Sequence, residues 1–186
     1  MEPRRRRADA QRNIDALLEA AKSVFATSGV DAPAKEITDL AGVGVGTLYR
    51  HFPQRAELVA AVLQREIDVV AQTGPQLSAG HQPGEALRRW LRRYTEFVGT
   101  KRGFAAALHS GDPAFDALPG YFMERMEPVL AALLDAAAAA GEVRTDVSAK
   151  DLLNAVALLC QPVRGEDLEF NQRMVAVLAD GLSPRA

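Results

Sequence analysis

Cysteine occurs once in this chain, histidine three times, and aromatic residues make up only 6% of it. A lone Cys160 cannot close an intramolecular disulfide, and its neighbours Leu158, Leu159 and Val163 mark it as a small buried hydrophobe. His51, His81 and His109 are accompanied by no His-Glu-x-x-His, Cys-x-x-Cys or phosphate-loop pattern, so no metal, no cofactor and no catalytic set is expected. Paired carboxylates such as Asp112 and Asp116 are what remains for an enzyme. Gly42, Gly44 and Gly46 follow G-x-G-x-G rather than the G-x-G-x-x-G of a dinucleotide loop, and no strand precedes them. No apolar run approaches the roughly 18 residues that a bilayer span needs. The start Met-Glu-Pro-Arg-Arg-Arg-Arg leads into a polar helix rather than an apolar signal core, so a cytoplasmic chain without membrane contact is expected.

What is present favours helices. Of 186 residues, 48% are hydrophobic, with alanine, leucine and valine dominant, and apolar residues recur at helical rather than strand spacing. The length lies between one large domain and two small ones. Net charge is −2, but residues 1–55 carry nine Lys/Arg against seven Asp/Glu and residues 56–186 carry thirteen against seventeen. Four of the positive charges are consecutive, Arg4 to Arg7. They suit a basic arm that neutralises phosphate or enters a minor groove, and equally a solvated tail.

The spacing of Ile14, Leu17, Leu18, Ala21, Val24 and Phe25 predicts a helix from about Asp9 to Thr27, stopped by Ser28-Gly29. A second, two-turn helix follows Asp31 and Pro33, with Ile37, Leu40 and Ala41 expected inward and Gly42 ending it. A third runs from Gly44 to His51, with Leu48 inward and Val45, Gly46, Thr47, Tyr49 and Arg50 on the outer arc. A long connector helix is predicted over 54–72, apolar around more than half its circumference, followed by a loop over 73–84. Further helices are predicted at about 84–99, 103–110, 114–140 with a break near Gly120, 148–163 and 166–181, with Ser148 and Asp151 as a capping box. The fold class expected is all-α with about nine helices: residues 1–55 as a three-helix helix-turn-helix domain, and 56–186 as a second helical domain.

Two short helices joined by a glycine-containing turn, the second with a polar outer arc, have the dimensions of a helix-turn-helix whose second helix enters the major groove. The stretch Glu36-Ile37, Leu40-Ala41-Gly42-Val43-Gly44-Val45-Gly46 and Thr47-Leu48-Tyr49-Arg50-His51-Phe52 closely resembles the DNA-binding region of the TetR/AcrR family of transcriptional repressors. The resemblance covers roughly residues 10–65; beyond them only a general helical ligand-binding and dimerisation domain is matched. By position in this motif, Tyr49 and His51 would donate to phosphate oxygens, and Thr47 would reach a phosphate or a thymine methyl. Lys35 and Arg55 match positions that contact the DNA backbone in the family. Gly44 and Gly46 allow close backbone approach at a cost of about 1 kcal/mol each in helix propensity. Polar groups are common at 44 and 45 in the family, whereas this chain has Gly44 and Val45. Base discrimination is left to Arg50, to Lys35, to an apolar contact from Val45, or to DNA shape read by the arginine arm. Phe52, beside Pro53, reads as a core aromatic.

Beyond the connector, Leu87, Trp90, Leu91, Tyr94, Phe97 and Val98 form one face of a helix whose other face carries Arg88, Arg89, Arg92 and Arg93. Trp90, Tyr94, Phe97, Phe104, Leu108, Phe122 and Met126 together suit an apolar ligand pocket, or plain core. The last two predicted helices bear broad apolar stripes. Leu152, Val156, Leu159, Val163, Val175 and Leu178 are expected at a dimer interface, since the resemblance implies a four-helix bundle across a two-fold axis. It also implies a homodimeric regulator that binds a palindromic operator in double-stranded DNA, released by a small apolar or amphipathic ligand. A helical interaction module without DNA binding, or a small enzyme, are the competing classes.

Overall fold

The computed structural model describes residues 2–100 and 104–184, with side chains from Asp9 onward except at 100, 105 and 106; the Arg4–Arg7 side chains of the expected basic arm lie outside the described residues. Among the described residues there are nine α-helices and no strand. They are α1 (Glu2–Ser28), α2 (Ala34–Ala41), α3 (Val45–His51), α4 (Arg55–Gly80), α5 (Pro83–Thr100), α6 (Ala105–Leu108), α7 (Leu118–Ala139), α8 (Ala149–Leu159) and α9 (Leu168–Asp180), with a short 3-10 turn at Pro113–Phe115. The chain divides into two compact units. One comprises Met1–Arg65 and Gly103–Leu118, and the other Glu66–Arg102 and Pro119–Ala186.

The first unit is built on a core of Leu17, Ala21, Val24 and Phe25 from α1, Ile37 from α2, Leu48 from α3, and Leu58, Val59, Val62 and Leu63 from α4. Arg65 ties α4 to α1 by donating to the Asp15 carbonyl at 3.2 Å and pairing with the Asp15 and Glu19 carboxylates. Phe104 packs edge-on against Phe25, ring centroids 5.9 Å apart.

The second unit has its own core, with Trp90, Leu91 and Tyr94 of α5 among Met126, Leu130 and Leu133 of α7, Leu152 and Val156 of α8, and Val175 of α9. Its helix ends are held by side chains. Ser148 accepts from the Asp151 amide at 3.1 Å, as the sequence predicts, and Asp167 accepts from the Phe170 amide at 3.1 Å. The Glu142 carboxylate reaches across to the Gly84 amide in the first turn of α5, at 3.1 Å. Buried Asn171 donates to the Leu159 carbonyl at 2.8 Å, satisfying the C-terminal end of α8 from α9.

Three boundary expectations are corrected. The connector does not stop at Gln72: α4 runs through Gly74-Pro75 to Gly80. A proline inside a helix ordinarily costs about 3 kcal/mol. Pro75 removes the donor to the Ala71 carbonyl; one residue earlier the Thr73 hydroxyl and the Trp90 indole both donate to the Val70 carbonyl, at 2.6 and 3.2 Å, and tie this turn to α5. Gly74 is there because a Cβ would collide with the Val129 side chain and crowd Trp90. The break expected near Gly120 falls a few residues earlier: the 3-10 turn at Pro113–Phe115 is followed by a turn over 116–117, and α7 begins at Leu118 with Pro119 and Gly120 in its first turn, where a missing N–H costs nothing. Conversely α8 ends at Leu159, ahead of the expected 163, since Pro162 disfavours helical geometry at Gln161.

Gly74→Ala should therefore destabilise the fold. The overpacking penalty of roughly 1–3 kcal/mol opposes a gain in helix propensity of about 1 kcal/mol, so the expected outcome is a lower melting temperature by calorimetry, and an unchanged or raised one would contradict the packing. A second prediction concerns pH. Tyr94 is buried and donates to the Leu153 carbonyl at 3.2 Å; burial, with a smaller contribution from nearby Cys160, raises its pKa well above the ordinary tyrosine range. Because the folded-state value is the higher one, this contribution to stability is complete below about pH 10 and is lost as pH rises further. Alkaline melts should show that decline in the parent and a shallower one in Tyr94→Phe.

Candidate nucleic-acid interface

Nothing in α3 itself makes it a stable helix: it has seven residues, and its N-cap Gly44 offers no side-chain acceptor. It is held by its surroundings. Gly42 takes the left-handed conformation, φ 67, and closes α2 with the Val43 amide on the Thr38 carbonyl at 3.1 Å and its own amide on the Asp39 carbonyl at 3.4 Å. The chain then re-enters helix at Val45, with the Thr47 amide on the Gly44 carbonyl at 2.8 Å, and Leu48, 3% exposed, pins α3 to the core.

With Leu48 inward, the 100° step of the helix turns Gly46 and Arg50 directly outward and puts Val45, Tyr49 and Thr47 on the flanks. Exposure follows that geometry. Val45 is 40% and Tyr49 52% exposed, Gly44, Gly46 and Arg50 are exposed, and Thr47 and His51 are half-buried. The two bases of the last turn, Arg50 and His51, lie at the helix end where positive charge is favourable. The structure thus gathers Gly44, Val45, Gly46, Thr47, Tyr49, Arg50 and His51 on one short helix and its cap. Lys35 is exposed on α2 and paired with Asp39, Nζ to Oδ2 at 2.6 Å. Arg55 is half-buried, its guanidinium 5.3 Å from the centre of the Phe25 ring, and it lines with Tyr49 and Gln54 a notch of about 180 Å³. Leu40 corrects an expectation: it is 60% exposed, while Thr38 is buried in the position assigned to it. Thr38 can occupy the interior because its hydroxyl donates to the Lys35 carbonyl at 3.1 Å.

The residues expected to line a ligand pocket separate into two groups. Trp90, Tyr94, Phe97, Phe122 and Met126 belong to the second unit, where the rings form a continuous stack: Trp90 to Tyr94 at 5.7 Å, Tyr94 to Phe122 at 5.9 Å and Phe97 to Phe122 at 6.4 Å. Phe104 and Leu108 belong instead to the core of the first unit. Beside the stack, Asp68 of α4 accepts from the Tyr121 hydroxyl at 2.9 Å and from Arg125 Nε at 2.7 Å. Burial, reinforced by that hydrogen bond, raises the Tyr121 pKa.

The expected dimer residues are also redistributed. Leu152, Val156 and Val175 are buried in the core of their own unit, so the expectation that they face a partner is corrected: the packing of α8 and α9 on α5 consumes that part of the stripe. Leu159 and Leu178 are half-buried and Val163 is 48% exposed. Also outward are Leu158 at 71%, Val177 at 65% and Leu168 at 38%, of which the sequence pattern places only Leu168 in an apolar stripe. Of the carboxylate pair, Asp112 accepts from the Ala114 amide at 2.9 Å as the cap of the 3-10 turn. Among the described residues no cluster of three potential metal ligands occurs, and no helix is long and apolar enough to cross a membrane.

Similarity to known proteins falls in two stretches of the chain. A sequence profile of the tetR family of bacterial regulatory proteins matches residues 17–62, and one of the C-terminal domain of SbtR-like transcriptional regulators matches residues 82–184. An HTH-type transcriptional regulator of Staphylococcus aureus is 37% identical over 68 residues, 35% of this chain and 35% of that protein. The match to such curated relatives thus spans about a third of their length. The crystal structure of a TetR transcriptional regulator from Streptomyces coelicolor shares 37% identity with a TM-score of 0.77, covering 93% of this chain and 99% of that one. A TetR regulator from Mycobacterium vanbaalenii shares 35% identity with a TM-score of 0.76, covering 96% and 99%. With its helix-turn-helix and its C-terminal helical region each matched, this chain belongs to the TetR family of transcriptional regulators.

Proposed function

We propose that the protein is a homodimeric repressor that binds a palindromic operator through α3 and is released by a small apolar or amphipathic ligand. The observation that carries the DNA-binding part is α3 itself, whose outward side holds the Tyr49 hydroxyl and the Arg50 guanidinium beside Gly46, with Thr47 and His51 half-buried at its edges, while one leucine anchors the helix. In this reading residues 1–55 form the DNA-binding domain and 56–186 the ligand-binding and dimerisation domain. Tyr49, Thr47 and His51 position the helix on phosphates, Lys35 and Arg55 contact the DNA backbone on either side, and Arg50 serves phosphate or base. Two copies of α3 would have to stand about 34–36 Å apart to enter successive major grooves.

The ligand reading rests on the aromatic and thioether cluster of Trp90, Tyr94, Phe97, Phe122 and Met126. These side chains fill their own space, so a ligand would enter by parting them, and Phe122, half-buried, offers the least resistance. A ligand that binds an operator-incompetent dimer better lowers operator affinity by the ratio of its affinities for the two states. Helix α4 belongs in part to each unit and is continuous, which makes it the element to carry the change.

For dimerisation, the exposed residues Leu158, Val177 and Val163, together with half-buried Leu159 and Leu178, are the apolar surface available to a second copy.

Arg50→Ala and Tyr49→Ala should each weaken binding to a selected operator duplex roughly five- to hundredfold while circular dichroism stays helical. Loss of a phosphate contact would also flatten the salt dependence by about one unit of slope. Unchanged binding in both variants would refute the assignment of α3. Independently, Leu158→Glu combined with Val177→Glu should yield a helical monomer by light scattering, whereas Leu152→Ala should leave the association state alone and lower stability by about 2–5 kcal/mol. A double variant that remains fully dimeric would move the interface elsewhere.

A further inference from the structure

Gly44 and Gly46 are not required by the protein's own fold. Gly44 has φ −74, an ordinary backbone conformation, and neither is among the glycines with positive φ. A Cβ built on either would meet nothing within 4 Å. Gly74, by contrast, has a neighbouring side chain where its Cβ would lie. Bare backbone facing open space on the outer arc of a recognition helix leaves room for something outside the protein. Between the two glycines stands Val45, and one turn further along the same edge stands Tyr49, both exposed.

Helix-turn-helix proteins read base edges with the N-terminal residues of the second helix, which in α3 are Val45, Gly46 and Thr47. None of the three carries the paired donors and acceptors that hold guanine O6 and N7 or adenine N6 and N7. The major-groove edge of the base pairs offers one apolar group, the 5-methyl of thymine. Valine is suited to it: its χ1 is stiff, it has no polar atom to desolvate, and its shortness demands the close approach that flanking glycines permit.

We propose that Val45, with the Tyr49 ring beside it, reads thymine methyl groups, so that the contact of the first turn of α3 in each half-site is specified by thymine rather than by guanine. This rests on the DNA-binding reading above and names the base that reading leaves open. Gly46→Ala belongs to the same account. Its added methyl has free space in the protein alone, so the melting temperature should hold or rise while specific affinity falls.

The test begins by selecting sites from a randomised duplex pool with the full-length chain. The selected duplex is then resynthesised with each thymine in turn replaced by deoxyuridine, which lacks only the methyl. At least one thymine per half-site should show a loss of about fourfold in affinity, the worth of one buried methyl-sized group. The same replacement should cost Val45→Ala nothing. Thymines indifferent to the methyl, or a Val45→Ala variant as sensitive as the parent, would overturn the proposal and leave DNA binding intact. A pool in which no sequence is enriched would overturn both.

Discussion

Burial of Leu48 is the contact on which the rest of the DNA-facing surface depends. A helix of seven residues has too few internal hydrogen bonds to offset its nucleation, and α3 lacks even a side-chain cap at its start. Burying one leucine is worth about 1.5–3 kcal/mol, and Leu48 does so against a core drawn from α1, α2 and α4. Fixing that one direction fixes all the others, because each residue is turned 100° from the last. Gly46 and Arg50 face outward for no other reason than that Leu48 faces inward. The glycine turn at 42 matters through the same geometry, since its left-handed φ sets the angle at which α3 leaves α2.

The same dependence explains which parts of the molecule are legible in the sequence. The helix-turn-helix is short, and its signals are local: an αL glycine, a hydrophobic residue one turn into each helix, a proline after the second. All of these act within a few residues, so pattern and structure coincide. The end of α4 is different. Gly74-Pro75 reads as a break because the rules for breakers are local, yet whether the break occurs depends on Trp90 and Val129, which reach that turn from α5 and α7. Thr38 and Leu40 make the point for a single residue. Hydrophobicity alone puts the leucine inside, but a threonine whose hydroxyl bonds to the Lys35 carbonyl buries as readily, and the tertiary environment takes Thr38.

Composition is similarly blind to which core a residue joins. Phe104 is as aromatic as Phe97, and the two lie close in sequence, but Phe104 meets Phe25 of α1 while Phe97 stacks in the second unit. Broad stripes on α8 and α9 correctly announce two neighbours for each helix. They do not say which residues serve which neighbour, and the extensive packing of α9 on α5 takes Val175 and Ala179, leaving Val177 outside. A periodic pattern gives the width of a face; its division between intrachain and interchain partners is decided by helix positions that no local window contains.

That division bears on how a regulator built this way obtains specificity. The outer arc of α3 spends one helical position, Gly46, on a residue about 1 kcal/mol poorer than alanine in a helix, with nothing near its Cβ position to require it; Gly44 is the N-cap, where glycine is no worse than alanine. In the proposed complex with DNA, the close approach that a bare backbone allows would offset the cost at Gly46. A methyl-sized apolar contact is worth less than a bidentate hydrogen-bonded pair, so one α3 discriminates weakly on its own and affinity leans on phosphate contacts that carry no sequence information. Duplication by a two-fold axis changes the arithmetic. Independent half-site contacts add in free energy and therefore multiply in affinity ratio, and they do so only while both helices are held at the groove spacing. In the proposed repressor, weak individual readers would make the geometry of the pair the controlling variable, and a ligand would need to alter that geometry only slightly to remove both sets of contacts at once.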